Sequence, residues 1–525
     1  MNNYVVIGSG PSGVSSALAL LRNGSMVTML DFGNNIPQSI LEKVWFASQK
    51  SPDLWTADEV KFLKFPKNLG GGVIPTKTLF GSDFIYQDND YVFGNNELPS
   101  GFSQYPSFAY GGLSRVWGAA SMRLYPSDYA SWPINNLEYY YKIIEDLIPI
   151  SAGNDDSLAD NFGFPRKSHS VPPSKQSKAV IDKLSKNTDA LKKMGVSFGQ
   201  SRLAIRPDCL LCLNCLQGCP YGKIFSSIDL MPELHTFPNF KYIGNVKVQT
   251  FKEDSASVSV LYLDSFGVKK YVNADRIFLG SGVLSTAQIV LNSLGLKDYV
   301  LHMKDSQYFM MPFIGPRYIK SDKTHSLSQI FIESNNAEIS PYNIHTQLYG
   351  FNDLYEEEIL SSLGILRHMP GAVRLANMLS YKFYVAQSYL HSNDSVVTSL
   401  SLQQGTQHSP LKISVPTIND SIKNQIHKVW SHLSKVGKLG GIYGLPLLGR
   451  ISDVGQGYHS GGTMSMSKDP IGAQSDIFGR PFSLNRVHVV DSSILPTIPS
   501  GTITLTVMAN SYRIASSISL KDGGG

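Results

Sequence analysis

The sequence predicts an α/β chain: a Rossmann-like nucleotide-binding domain at its start, joined to an α+β domain built on an antiparallel sheet. Three observations predict it. Residues 4–31 run strand, glycine turn, helix, strand, acid. A second strand, Arg276 to Leu279, also leads into glycines, Gly280-Ser281-Gly282, and then a helix from Ser285 to Leu294 ended by Gly295. Between residues 300 and 450, aromatic strands such as Tyr384 to Tyr389 and Val396 to Leu402 suit an antiparallel sheet with one face solvated.

The opening unit is the most explicit. Tyr4-Val5-Val6-Ile7 is a short uncharged run fit for a buried parallel strand. Gly8-Ser9-Gly10-Pro11-Ser12-Gly13 follows and fits G-x-G-x-x-G. Gly8 permits the tight turn, Gly10 lets backbone approach a pyrophosphate, and Gly13 lets the next helix pack closely. Val14 to Arg22 is helical in pattern, so its N-terminus aims free N–H groups at phosphate oxygens. Met26 to Leu30 makes the second strand, and Asp31 lies 18 positions after Gly13, where a ribose hydroxyl is held. A glycine-rich turn in an ordinary α/β unit is the plainer alternative. The stretch specifies an ADP-containing dinucleotide and does not separate FAD from NAD.

Beyond it, Asn34 to Pro106 is irregular and reads as an insertion covering the cofactor or capping a substrate site. Gly111, Gly112 and Trp117-Gly118-Ala119-Ala120 place small residues where backbone passes a planar ligand. Leu137 to Leu147 is an amphipathic helix, and 150–173 is a polar loop. Ser174 to Met194 reads as one basic surface helix with Ser174 at its N-cap. Tyr242 to Val248, Val258 to Leu263 and Val487 to Val490 are strands. Helices are expected around Ile422 to Lys435 and from Thr504 to Ile518, with Lys521 to Gly525 as a frayed tail.

Composition narrows the function. The chain has 525 residues, 42% apolar and 17% charged, with net charge +5; no basic cluster points to nucleic acid. No apolar run reaches the length of a membrane span, and a strand beginning at residue 4 leaves no room for an export signal. The expected location is cytoplasmic, where thiols stay reduced.

All four cysteines fall within 11 residues: Cys209, Cys212, Cys215 and Cys219, followed by Pro220. The spacing C-x2-C-x2-C-x3-C-P is the bacterial ferredoxin run, which wraps an iron–sulfur cluster. Zinc and a metal-free loop are the alternatives; structural zinc draws on two separated pairs, and ligands at spacing three crowd a tetrahedron. A [4Fe–4S] centre is favoured, and a three-ligand [3Fe–4S] centre stays open. Among 12 histidines, His459 sits in Tyr458-His459-Ser460-Gly461-Gly462, flanked by small residues that admit a ligand. A neutral imidazole there can take a hydroxyl proton as hydride leaves the same carbon. A histidine in a glycine-rich turn is the plainer reading.

Four separated segments together resemble the glucose–methanol–choline (GMC) oxidoreductases, in that family's order. GSGPSG with Asp31 is similar to its FAD fingerprint, and YGGLSRVWGAASMRLYPSDYASW to its first signature. RIFLGSGVLSTAQIVLNSLG resembles its strand–glycine–helix near the flavin. YHSGGTMSM through VVDSSILPTIPSGTITLTVMANSYRIA resembles its C-terminal signatures. The resemblance covers roughly a third of the chain. It implies FAD bound by a discontinuous domain (1–48, 107–135, 240–300 and 451–520) and a substrate or cap domain (49–106, 136–200 and 301–450), with 201–230 as a cysteine-rich cluster-binding insertion.

Carried over by motif, the resemblance makes His459 the base beside flavin N5. It sets Asp491 along the ribityl-pyrophosphate, with Gly8, Gly10, Ser12, Gly13, Gly280 and Gly282 in the cradle. Gly112, Ser114, Trp117, Gly118 and Ala119 fall beside the isoalloxazine, and Val246 or Val248 by the adenine. Thr502 stands where the family places a second His or Asn; its hydroxyl can orient an alcohol but is a poorer base. A histidine for covalent flavin attachment is not evident between Gly111 and Ala120, so the FAD is expected to dissociate. Some sugar dehydrogenases of the family carry a cysteine cluster, and some long-chain alcohol oxidases a cysteine-rich stretch. The implied activity is oxidation of a sugar or other alcohol, with electrons leaving through the cluster to a ferredoxin-like or quinone acceptor. Two alternatives stand beside it: a ferredoxin-fed reductase running backward, and an oxygen-using alcohol oxidase with structural zinc or cluster.

Overall fold

The computed structural model describes residues 2–64, 77–94, 97–153, 156–163, 168–320, 323–352, 369, 371–403 and 408–523. Parts of the 34–106 insertion and of the 150–173 loop, and residues 524–525 of the tail, lie outside the described residues.

The first layer is a five-stranded sheet in the order Val487–Val489, Arg276–Leu279, Asn3–Ile7, Met26–Leu30, Phe240–Ile243, with every pair parallel. Its strands Asn3–Ile7, Arg276–Leu279 and Val487–Val489 are buried on both faces, as their apolar runs require, while the edge strand Phe240–Ile243 is partly exposed. The chain leaves Asn3–Ile7 toward Met26–Leu30 on one side and returns through Arg276–Leu279 on the other. The carboxyl ends of these two central strands form a topological switch point, the place where an open α/β sheet receives a ligand. Both ends carry glycine, Gly8 and Gly280. The Pro11–Arg22 helix starts with proline at its first position and packs against the Thr504–Gly523 helix, joined by Ser16 Oγ and Ser511 Oγ at 2.6 Å.

The second layer is a seven-stranded antiparallel sheet. Its order is Tyr443–Gly444, Tyr308–Ile314, Phe383–Tyr389, Ile344–Tyr349, Ile330–Ser334, Val196–Gln200, with Arg450–Ile451 also on Tyr308–Ile314. A four-stranded sheet (Leu411–Ser414, Val397–Leu402, Leu301–Asp305, Ser460–Gly461) links the two layers. The larger sheet departs from expectation: Ile330–Ser334 and Ile344–Tyr349 are buried throughout rather than solvated on one face. Leu348, Ala386 and Phe313 pack beneath the helices Lys175–Ser185 and Asp420–Gly440, while Gln347, Tyr349, Gln387 and Tyr389 line a cleft on the opposite face.

Other differences have local causes. Ser174 caps its helix as expected, its Oγ accepting from Ser177 N–H at 3.0 Å. That helix breaks at residue 186, however, and resumes at Thr188–Lys193. The expected strand Tyr242 to Val248 is two strands, Phe240–Ile243 and Lys247–Glu253, separated by Asn245 at φ +56°. Helices Gln38–Ser48 and Ala57–Lys64 occupy the supposedly irregular insertion; they bury few residues, so their apolar periodicity is faint. The supposed tail is helical to Gly523, because Asp522 accepts from Arg276 Nε at 2.7 Å and from Tyr4 OH at 2.9 Å. Among the described residues, no helix is long and apolar enough to cross a membrane.

Candidate active site

One cleft runs from the switch point to the antiparallel sheet. At the nucleotide end its wall is Gly8, Gly10, Ser12, Asp31, Gly280 and Gly282. Gly8 adopts φ +100°, and a Cβ there would stand 2.6 Å from Gly280 O. A Cβ on Gly13 would fall 1.8 Å from Gly8 O, so Gly13 serves helix–strand packing and does not face the cleft. Gly10 is different: a Cβ there would meet nothing nearer than Gly112 Cα at 4.0 Å, leaving its backbone open to a ligand.

Asp31 receives Ser9 N–H at 3.1 Å, Ser9 Oγ–H at 2.5 Å and Tyr242 OH at 3.0 Å. Burial nevertheless pushes its carboxyl up to about 6. Asp491 takes Gly282 N–H at 2.9 Å and Thr286 Oγ1–H at 2.5 Å, fastening the C-terminal segment to the helix at Val283–Leu294. Ser281 Oγ, Ser285 Oγ and Thr502 Oγ1 are buried with no hydrogen-bond partner among the described residues, and all three residues border the cleft. Such orphaned groups in a glycine-lined cradle match the hydroxyls and phosphate oxygens of a dinucleotide. Val246 and Val248 line the same wall.

The next segment, 111–120, is stitched to the first by serines. Ser9 Oγ accepts from Gly111 N–H at 2.8 Å, and Ser114 Oγ donates to Gly111 O at 2.6 Å. Trp117 is held edgewise by its Nε1–H donating to Phe225 O at 2.8 Å. Gly112, Ser114, Trp117 and Gly118 face the cleft, whereas Ala119 is turned inward, at φ +56°, to give its carbonyl to Ala204 N–H.

At the far end His459 and Thr502 line the same cavity. His459 arrives from the Ser460–Gly461 strand, and Gly461 is obligatory there because a Cβ would lie 2.2 Å from Ser492 O. The imidazole stacks on Tyr389, centroids 4.6 Å apart, and its Nδ1 is sealed without a partner among the described residues. Nε2 is thus the nitrogen left for the cleft. Burial first, then His345 and Lys77, hold its pKa down at about 3. The ring is neutral and able to accept a proton.

Sequence reasoning missed the wall that the antiparallel sheet contributes. Gln347 pairs with Gln387 across neighbouring strands, and Tyr349 and Tyr389 follow each by two residues. From Tyr349 a hydrogen-bonded chain runs inward. Tyr349 OH donates to Gln347 Oε1 at 3.1 Å, Gln347 Nε2 meets His345 Nε2 at 3.2 Å, and His345 Nδ1 meets Glu333 Oε1 at 2.7 Å. The two Q-x-Y pairs were the available signal, since period two sets both residues on one face. Lys77, on the loop that follows the residues outside the description, also borders the cleft.

The cysteine loop lies behind this wall. It is clamped by Thr324 N–H to Leu211 O and Leu213 N–H to Thr324 O, both at 3.1 Å, and by Phe80 N–H to Gln217 O at 2.7 Å. Leu211, Leu213 and Gly218 take positive φ, curling the backbone round the sulfurs. Cys219 Sγ accepts Lys223 N–H at 3.2 Å. Burial, and then the neighbouring sulfurs, push the thiols of Cys209, Cys212 and Cys215 up, Cys212 to about 12. Among the described residues no three His, Cys, Asp or Glu side chains are arranged to hold a single ion. Past Cys219, Ser227 Oγ donates to Ser9 O at 3.0 Å and to Gly111 O at 2.9 Å, so the loop abuts the nucleotide cradle.

Comparison with known proteins bears on the C-terminal end of this cleft. Residues 450–511 match the C-terminal family model described as GMC oxidoreductase. No curated protein matches the sequence. Among solved structures, pyridoxine 4-oxidase from Mesorbium loti has the same fold, with a TM-score of 0.64 at 15% identity over 98% of this chain and 99% of that one.

Proposed function

We propose that this chain, whose residues 450–511 match the C-terminal model of the GMC oxidoreductases, oxidises a hydroxyl of a sugar or other alcohol using FAD held in the cleft. The observation that carries the reading is convergence. Gly8 to Ser12, Gly280 to Gly282, Asp491, His459 and Thr502, drawn from both ends of the chain, line one cavity. When bound, FAD supplies a hydride acceptor. Gly8, Gly10 and the Pro11–Arg22 helix N-terminus would hold its pyrophosphate, Asp31 a ribose hydroxyl, and Asp491 with Ser281 the ribityl side. His459 receives the substrate hydroxyl proton at Nε2, and Thr502 Oγ1 orients that hydroxyl. Tyr389 fixes the imidazole plane by stacking.

The cysteine loop is proposed to carry an iron–sulfur cluster that passes electrons singly to a ferredoxin-like or quinone acceptor. Four thiols within 11 residues, in the ferredoxin spacing, form the donor set such a cluster uses. A spectrum of anaerobically purified protein tests both parts. Flavin absorption with iron and acid-labile sulfide supports the reading, and absence of flavin overturns it. Zinc without sulfide, with peroxide formed in air, would instead favour an oxidase. Thr502, a weak base in the second catalytic position, favours one rival, a reductase fed by ferredoxin. Bleaching of the flavin by reduced ferredoxin and by no alcohol would select it.

A further inference from the structure

Lys77 has no role in the chemistry above. Its side chain is exposed, but what it meets is the cleft; protein crowds the ammonium on its other sides, and that desolvation pulls its pKa down to about 8. Its Nζ stands 3.4 Å from the point where a Cβ on Gly118 would lie, and Tyr349 OH stands 3.8 Å from the same point. The ammonium is close enough to depress the His459 imidazole. Among the described residues it makes no hydrogen bond or ion pair. An ammonium that faces the cleft without a counter-charge is free to pair with a charge that a ligand brings.

The partner is not the cofactor's pyrophosphate, for which the helix N-terminus at Gly10 and Ser12 is built at the other end of the cleft. We propose that the substrate carries a carboxylate, that Lys77 binds it, and that this pairing turns the hydroxyl to be oxidised toward His459. The inference rests on the FAD-dependent alcohol oxidation argued above. A single lysine without arginine on the cleft wall suits a monoanionic carboxylate better than a phosphate, which draws several donors. Gln387, whose amide makes no hydrogen bond to protein among the described residues, lies on the same wall to receive a neighbouring hydroxyl.

Other groups facing Lys77 do not titrate in its range. His459 stays neutral, and burial raises Tyr86, Tyr349, Tyr389 and Tyr458. Three carboxyls are raised by burial and are to be controlled for: Asp305, against Gly455 beyond Tyr389, to about 7, Asp31 at the far end of the cleft to about 6, and Asp491.

The test titrates FAD-loaded wild type, Lys77→Gln and Lys77→Arg with sodium acetate, D-glucuronate, D-glucose and D-glucose 6-phosphate, following the flavin absorption band. Wild type should bind acetate and glucuronate saturably, and Lys77→Gln should bind them about tenfold or more weakly while holding FAD unchanged. Lys77→Arg should keep binding. Carboxylate affinity should fall about tenfold per pH unit above pH 8 in wild type, and be flat there in both variants, whose side chains do not titrate. Equal carboxylate affinity in wild type and Lys77→Gln, an equal response to glucose, or loss of FAD from Lys77→Gln would overturn the proposal. Preference for glucose 6-phosphate would overturn the carboxylate assignment. A wild type that never holds FAD overturns the underlying reading instead. Trp117 emission, read with the same probes, then decides Lys77 separately.

Discussion

His459 shows how one side chain is prepared for a reaction. Its backbone is drawn against Ser492 by glycine, its ring is stacked on Tyr389, and one nitrogen is sealed in protein. Replacing it by alanine should lower the rate of anaerobic flavin reduction by about 10²- to 10⁴-fold, the usual range for a general base. Flavin content should not change, because the cradle lies at the other end of the cleft. A His459→Ala protein that reduces its flavin at the wild-type rate would remove the residue from the mechanism. His459 was legible because its small neighbours announced an approach path. Lys77, Gln387 and Tyr349 were not: each is an ordinary residue until strand register or loop packing sets it beside His459. The paired strands that carry Gln347 and Gln387 lie 40 positions apart in sequence, and nothing local marks their meeting.

At the level of elements, the nucleotide unit was readable because several signals agreed: a β-branched strand, three glycines with different duties, proline at the helix start, and an acid after the second strand. Those duties separate by mutation. Gly10→Ala is allowed by its φ of −65° and an open Cβ position, so stability should change by less than about 1 kcal/mol while FAD affinity falls. Gly13→Ala drives a methyl into Gly8 O and should cost several kcal/mol, roughly 3 or more, lowering the thermal midpoint of the cofactor-free protein as well. Melting curves with and without FAD distinguish the two. The chain's end was not legible, since Lys-Asp-Gly-Gly-Gly carries no periodicity. Asp522 nevertheless locks the last helix to Arg276 and Tyr4. Truncation after Ile518 should therefore cost about 1–3 kcal/mol in denaturant unfolding, whereas removal of 524–525 alone should cost little.

Across the whole molecule, the buried titratable groups form two opposed sets. His325, His391 and His488 are held down at about 4, and His459 at about 3, all by burial. Below their ordinary pKa near 6.5 the unfolded chain binds protons that the folded chain refuses, so these groups make stability rise as pH climbs from 4 to 6.5. Asp31 at about 6, with Asp128 and Asp305 at about 7, act the other way. From pH 4 upward the folded chain keeps protons that the unfolded chain has released, so these carboxyls make stability fall until pH passes their folded values. The two slopes oppose each other, so unfolding free energy should rise between pH 4.5 and 6.5 much less steeply than the histidines alone would make it. The opposition can be dissected at Asp305. Its carboxyl accepts from Gly455 N–H at 3.0 Å through one oxygen, while the other is buried without a partner. Asparagine mimics the protonated acid, so Asp305→Asn removes one falling contribution and leaves the histidines unopposed by it. The variant's unfolding free energy, taken from urea titrations, should gain on wild type by about 1.4 kcal/mol per pH unit between pH 4.5 and 6.5. A slope identical to wild type would mean that Asp305 is ionised in the folded chain, where burial without a cation would leave its charge uncompensated.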